Sequence, residues 1–162
     1  MAIDMFLKID GIEGESADDK HANEIELISF NWGMSQASSM HAGTGGGQGK
    51  VSVDDLSFVH FLDKASPILI QTCMSGKHIP KAVLTARKAG EKPLDYLKIT
   101  MTDVLVSSVS PSGSNGAGQA VMEAVGLSFS KVKVEYQPQG ADGSAKGGAV
   151  VSEWDIKANK KV

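Results

Sequence analysis

Apolar positions along the chain recur mostly with period two. Between Ala2 and Ile9, the residues Ile3, Met5, Leu7 and Ile9 fall on one side and Asp4, Phe6 and Lys8 on the other. That alternation predicts a strand with one face turned inward. Residues 10–24 then read as a loop, with Gly11, Gly14 and the acidic pair Asp18–Asp19. A second strand starts at Glu24, with Ile25 and Leu27 on its apolar side. From Ile28 the parity reverses. Ile28, Phe30, Trp32 and Met34 become the apolar set, and Ser29 and Asn31 the polar one. A regular strand cannot change phase, so a bulge, a bend or a change of partner is expected near Leu27–Ile28.

Residues 40–50 hold five glycines and predict a flexible or extended loop. Val51–Phe58 reads as a short strand interrupted at Asp54–Asp55. A helix is predicted over His60–Ser75. Asp63 or Ser66 would cap it, Pro67 suits its first turn, and Ile68, Leu69, Thr72 and Cys73 share a face. Gly76 would stop it. Strand patterns follow over Ala82–Lys88, Leu94–Ser110 and Met122–Tyr136, the last with a phase slip near Ser130–Lys131. A final strand spans Val150–Ile156 and ends in a basic tail, KANKK. About seven strands with glycine-rich connections, one short helix and no βαβ alternation predict a mainly β fold, a sandwich or barrel. Residues 1–162 are expected to form one domain. No internal repeat is evident.

Composition narrows the function classes. The chain is 41% apolar and 22% charged with a net charge of −3, an ordinary globular balance. That charge argues against long-range attraction to nucleic acid or an anionic membrane. No apolar run approaches the ~18 residues of a membrane span. The first residues lack a basic segment followed by a long apolar one, so no cleaved Sec-type signal is expected. Cys73 is the one cysteine, which excludes an internal disulfide and suits folding in a reducing compartment.

Catalytic and cofactor motifs fail one by one. A phosphate loop ending at Gly49–Lys50 would need glycine at 44 and serine or threonine at 51, where Thr44 and Val51 stand. A GxGxxG pattern from Gly43 and Gly45 meets Gln48. A strand pattern, not a helix, follows the glycine tract, so no helix N-terminus awaits an anion. No nucleophile elbow is present. His21, His41, His60 and His78 lack metal-ligand spacing and read as surface or loop residues. Cys73 reads as a small packed hydrophobe. Asp54 and Asp55 would point to opposite faces, and Asp18–Asp19 reads as solvated loop. Trp32 and Trp154 read as core or interface anchors. No catalytic residue, cofactor or metal is expected.

Several runs together carry a family likeness: MFLKIDGIEGES, EIEL-SFNWGMSQ, SMH-G-GGG-GKV, FLDKASP, CMSGKHIPKAVLTARKAG, YLKITMTDVLVSSVS and LSFSKVKVEYQPQ, with His21 and Trp154. Spread from Met1 to about Ile156, they resemble Hcp, the haemolysin-coregulated protein of bacterial type VI secretion systems. The resemblance implies a two-sheet β-barrel with one short helix, forming a homo-hexameric ring with a central pore. Rings would stack into a tube that a contractile sheath drives outward behind a spike-tip protein. Small effector proteins would ride in the pore. The subunit would assemble in the bacterial cytoplasm and leave without a cleaved signal peptide, with no catalysis and no fused toxin domain. By position, Ser29 and Asn31 resemble pore-facing residues. Met40, His41, Gly43, Thr44, Gly45, Gly46, Gly47, Gln48 and Gly49 resemble a loop that meets the next subunit or ring. The rival reading is a monomeric ligand-binding β-barrel with a filled apolar pocket and no ring.

Overall fold

A computed structural model of the chain describes residues 2–37, 49–116 and 120–162. Among them the elements run β1 (Ile3–Ile9), β2 (Ile25–Glu26), β3 (Ser29–Asn31), β4 (Met34–Gln36), β5 (Val51–Val53), β6 (Leu56–Phe61), α1 (Ser66–Ser75), β7 (His78–Lys88), β8 (Leu94–Ser112), β9 (Met122–Tyr136), β10 (Val150–Asp155) and β11 (Lys160–Lys161). All strand pairs are antiparallel. The main sheet runs β11-β10-β9-β8-β7-β1-β2, with β6 joining β9 to β3, and β4–β5 form a second, two-stranded sheet.

The phase reversal expected near Leu27–Ile28 is a change of partner. Leu27 N–H donates to the Met5 carbonyl on β1, and Ile28 N–H to the Val59 carbonyl on β6. β2 pairs with β1, and β3, two residues on, pairs with β6. One short segment therefore closes the barrel β1-β2/β3-β6-β9-β8-β7 by bonding to a different neighbour at each end. Closure removes the free edges that an open sheet would leave at this point.

The slip predicted at Ser130–Lys131 is one stitch of a longer line. Inward residues on β7 jump from Ile79 to Ala82, on β8 from Met101 to Val104, and on β9 from Phe129 to Val132. These residues face one another across the ladders, Ile79 to Val104 to Phe129 and Ala82 to Met101 to Val132. At this level Pro80 supplies no N–H and Asp103 adopts φ +57°. The partner of β9 changes here too, from β6 through Leu127 to β10 from Lys131.

The barrel interior is filled. Leu7, Ile25, Leu56, Phe58, Leu84, Met101 and Leu127 are among its fully buried side chains. Phe6, predicted to lie on the polar face of β1, is buried as well, because His21 stacks on its ring at 4.4 Å and the Arg87 guanidinium lies over the ring, 5.0 Å from its centroid.

The helix starts later than its pattern predicts. His60 and Phe61 finish β6, opposite Glu123 and Met122. An Asp63–Ser66 turn follows, in which Ala65 N–H donates to Asp63 Oδ1 and Asp63 N–H to Ser66 Oγ. Ala65 is the N-cap with no side-chain bond, Pro67 sits in the first turn, and Gly76 closes the helix at φ +65°. Leu69 and Thr72 are buried, but Ile68, expected on that face, is exposed. The basic tail is also ordered differently from its reading: a turn held by Ala158 N–H to Asp155 Oδ1 folds it back, so that Lys161 faces Trp154.

Candidate functional site

The two residues singled out on the second strand lie together on β3, and both are exposed. Their register places them in two rows that cross four strands. Asn31 faces Ser57, Ser57 faces Gly126, and Gly126 faces Ser108. Ser29 faces Val59, Val59 faces Ala124, and Ala124 faces Ser110. On the opposite side of the same strands stand Phe30, Phe58, Val125 and Leu127, packed into the barrel. The outer face is thus a wall of small, uncharged residues on a rigid, well-packed support.

Gly126 makes that wall flat. A Cβ there would stand 2.6 Å from Ser108 Oγ and 2.9 Å from Ser107 Oγ. The register of β8 shifts between Val106 and Ser108, and this bulge brings both serines against β9. Asp55 borders the wall, and its Oδ2 accepts a 2.6 Å hydrogen bond from Ser107 Oγ.

The loop expected to meet a neighbour falls mostly outside the described residues: Met40, His41, Gly43, Thr44, Gly45, Gly46, Gly47 and Gln48 all do. Its stems are described. Gln36 faces Val51 across the β4–β5 pair, and the Gln36 side-chain amide donates to the Gly49 carbonyl. Gly49 lies so close to Ala37 that a Cβ would meet the Ala37 Cβ at 3.1 Å. As the pattern predicted, a strand follows the glycine tract. Between β4–β5 and the β9–β10 side lies a cleft of ≈620 Å³, with Trp32, Met34, Val53, Val132, Val134 and Trp154 on its walls. Trp32 Nε1–H donates to the Asp54 carbonyl at 3.0 Å. Both tryptophans are half-buried against the core, in keeping with their reading as anchors.

Titratable residues take places that the sequence reading missed. His21 and His60, read as surface residues, are both buried. His21 Nδ1 lies 2.6 Å from Glu24 and its Nε2 3.3 Å from Asp95. His60 Nε2 lies 2.9 Å from Glu123 Oε1 inside the barrel. Asp18 is no solvated loop residue either: it grips the Arg87 guanidinium through both oxygens, one at 2.9 Å, and accepts from the N–H groups of Lys20 and His21. The Arg87 hydrogen bonds hold its carboxyl well below the usual carboxylate range. Arg87 is raised in turn, first by Asp18 and then by Asp4. These contacts tie the 10–24 loop to the barrel. No cluster of metal-ligating side chains occurs among the described residues.

A sequence profile described as "Type VI secretion system effector, Hcp" matches residues 6–136, most of the chain. The chain belongs to the Hcp family. Protein hcp1 of Pseudomonas aeruginosa is 54% identical over 160 residues, 98% of each chain. The crystal structure of Hcp1 from Salmonella typhimurium, also 54% identical, covers the whole of both chains with a TM-score of 0.83. A structure titled "Structure of a type six secretion system protein" is 31% identical and covers 99% of this chain and all of its own, with a TM-score of 0.94.

Within this Hcp chain, sequence pattern reached two residues of the small polar wall, Ser29 and Asn31, because they alternate with aromatic residues. It missed Ser57, Ala124, Gly126, Ser108 and Ser110. For Ser108 and Ser110 the one local signal is the run VSSVSPS, where serines alternate with valines once the doubled Ser107–Ser108 is recognised as a bulge. No local pattern says that this run faces β3, because β9 and β6 stand between them.

Proposed function

We propose that this protein is a structural subunit of a type VI secretion tube, forming hexameric rings that stack, and that the small polar wall around Ser29 and Asn31 lines the ring's pore. The single observation that carries the pore assignment is the absence of charge and bulk on that wall. Asn31, Ser57, Gly126 and Ser108 make one row, and Ser29, Val59, Ala124 and Ser110 the next. A passage for folded cargo needs a smooth surface that binds weakly. Long or charged side chains would obstruct it or hold one sign of cargo. Family membership supports the tube reading, and the filled barrel interior disfavours the rival monomeric ligand-binding barrel, which needs an internal pocket. In this reading the protein has structural rather than catalytic work. Its other partners are the sheath, the spike-tip protein and small effectors carried in the pore, and it leaves the cell through the machine it builds.

Two measurements test this. Analytical ultracentrifugation at micromolar concentration should give a mass near six subunits; a clean monomer would defeat the ring. Asn31→Arg, in protein that still forms rings, should reduce effector co-purification. Unchanged cargo in intact rings would remove Asn31 from the pore.

A further inference from the structure

We infer that the pore lining carries an apolar band, Phe61 and Met122, by which it holds its cargo, and that this cargo is a small protein with an exposed apolar side. The inference rests on reading the wall around Ser29 and Asn31 as the lining of a pore. It names what that lining takes hold of, and by which side chains.

The band lies on the same face as the wall. Side chains two residues apart stand on one side of a sheet. Phe61 therefore shares the side of Ser57 and Val59 on β6, and Met122 that of Ala124 and Gly126 on β9. The register sets Phe61 opposite Met122 and Met122 opposite Ser112, one row beyond Val59, Ala124 and Ser110. Successive rows are about 7 Å apart along the strands, so the band adjoins the small polar rows directly. β3 does not reach it, because Leu27 has already turned to β1.

Phe61 and Met122 are the bulky side chains of a face that is otherwise small. Phe61 is 54% exposed and Met122 39%, whereas the two rows beside them hold serine, asparagine, glycine, alanine and one valine. Among the described residues, no charged side chain stands in these three rows. The titratable groups directly behind the band, His60 and Glu123, are fully buried and bond to each other at 2.9 Å, with Asp63 3.9 Å from the other His60 nitrogen. Asp55 lies at the opposite end of the wall, where Ser107 donates to it. A ligand on this face thus meets apolar surface in one row and small neutral groups in the next two.

That arrangement selects the partner. A strongly charged ligand finds no countercharge on the wall. An exposed apolar patch on a rigid sheet marks a contact site. Methionine beside phenylalanine suits partners of varied shape, because the thioether chain is flexible and polarisable. A cargo that must later leave is served by a grip confined to one row, with a smooth surface beside it. Because no charge takes part, the grip is insensitive to salt.

The probes are two helical peptides of equal length and charge, one with a leucine and phenylalanine face and one with that face changed to serine. Fluorescence anisotropy reads their binding to the assembled protein, and analytical ultracentrifugation reads the assembly of each variant. The apolar peptide should bind equally at low and high salt, and the serine peptide should not bind. Phe61→Thr with Met122→Thr should weaken binding about tenfold or more in intact rings. Phe61→Leu with Met122→Leu should keep it. Met74→Thr, at an apolar side chain 82% exposed on α1, should leave it unchanged. Threonine suits an exposed strand position, and circular dichroism checks folding; the two single changes, each expected to lower binding, serve if the pair does not fold. Unchanged binding in the threonine variant overturns the band, as does an equal loss with Met74→Thr or equal binding of the serine peptide. A folded threonine variant that no longer assembles gives the band to a contact between subunits and overturns the cargo reading. A monomeric parent defeats the pore reading itself, whereas intact rings indifferent to Phe61 and Met122 defeat the band alone.

Discussion

His60 and Glu123 face each other on β6 and β9, neither exposed, with a single 2.9 Å hydrogen bond between them. His60 Nδ1 and Glu123 Oε2 have no hydrogen-bond partner. Removing one member leaves the other as an uncompensated polar group in the core, so His60→Leu should destabilise by about 3–5 kcal/mol, whereas His60→Leu with Glu123→Leu should recover most of that loss. Urea midpoints of the single and double variants decide it: a double variant as weak as the single would mean that the pair is not the unit. Asp18 gives a pH signature. Its carboxyl is depressed in the folded state relative to ~3.9 in an unfolded chain. Its stabilisation is therefore fully present above that value and is lost as pH falls through and below it. Asp18→Asn should lower stability at neutral pH and flatten its acid dependence below about pH 4, so that variant and parent curves converge there. Denaturant midpoints against pH would show parallel curves if Asp18 were merely solvated. Neither His60 nor Asp18 announced its role locally, since their partners lie 63 and 69 residues away.

At the scale of elements, backbone conformation and close approach decide which changes matter. Gly76 ends α1 at φ +65° with open space where a Cβ would stand. Gly76→Ala should therefore cost about 1–2 kcal/mol through left-handed backbone strain alone, read as a lowered melting temperature. Gly126→Val meets the opposite situation, a crowded site at the β8 bulge, and should cost about 1–3 kcal/mol through overpacking against Ser107 and Ser108. Combining it with Ser107→Gly and Ser108→Gly should relieve that cost; no relief would place the strain elsewhere. The elements themselves were largely legible. The broken strand at Asp54–Asp55, the Pro67 and Gly76 signals and both phase slips are local features of the pattern. The start of α1 was not, because LSFVHF carries apolar residues at a spacing compatible with either element until β9 pairs with it.

For the whole molecule, assembly and stability should be coupled. If subunits bury apolar surface against one another in a ring, dilution favours the monomer and lowers the apparent melting temperature. Differential scanning calorimetry over a roughly hundredfold concentration range should show that drift. A concentration-independent transition in the parent would mean that folding gains nothing from neighbours.

What the sequence by itself determined is whatever depends on near neighbours along the chain. Alternation set the strands and their buried faces, parity reversals marked Leu27–Ile28 and Ser130–Lys131, and the aromatic phase of the second strand picked out Ser29 and Asn31. The tertiary structure alone decided which strands meet. It showed that the first reversal is a switch from β1 to β6 that closes the barrel, and that the second belongs to a line through Pro80 and Asp103. It also joined Ser29 and Asn31 to serines about 80 residues further on, across the paired ladders. The physical reason is that periodicity records which side of a strand is buried, whereas pairing records who lies beside it, and that depends on every other strand finding its place.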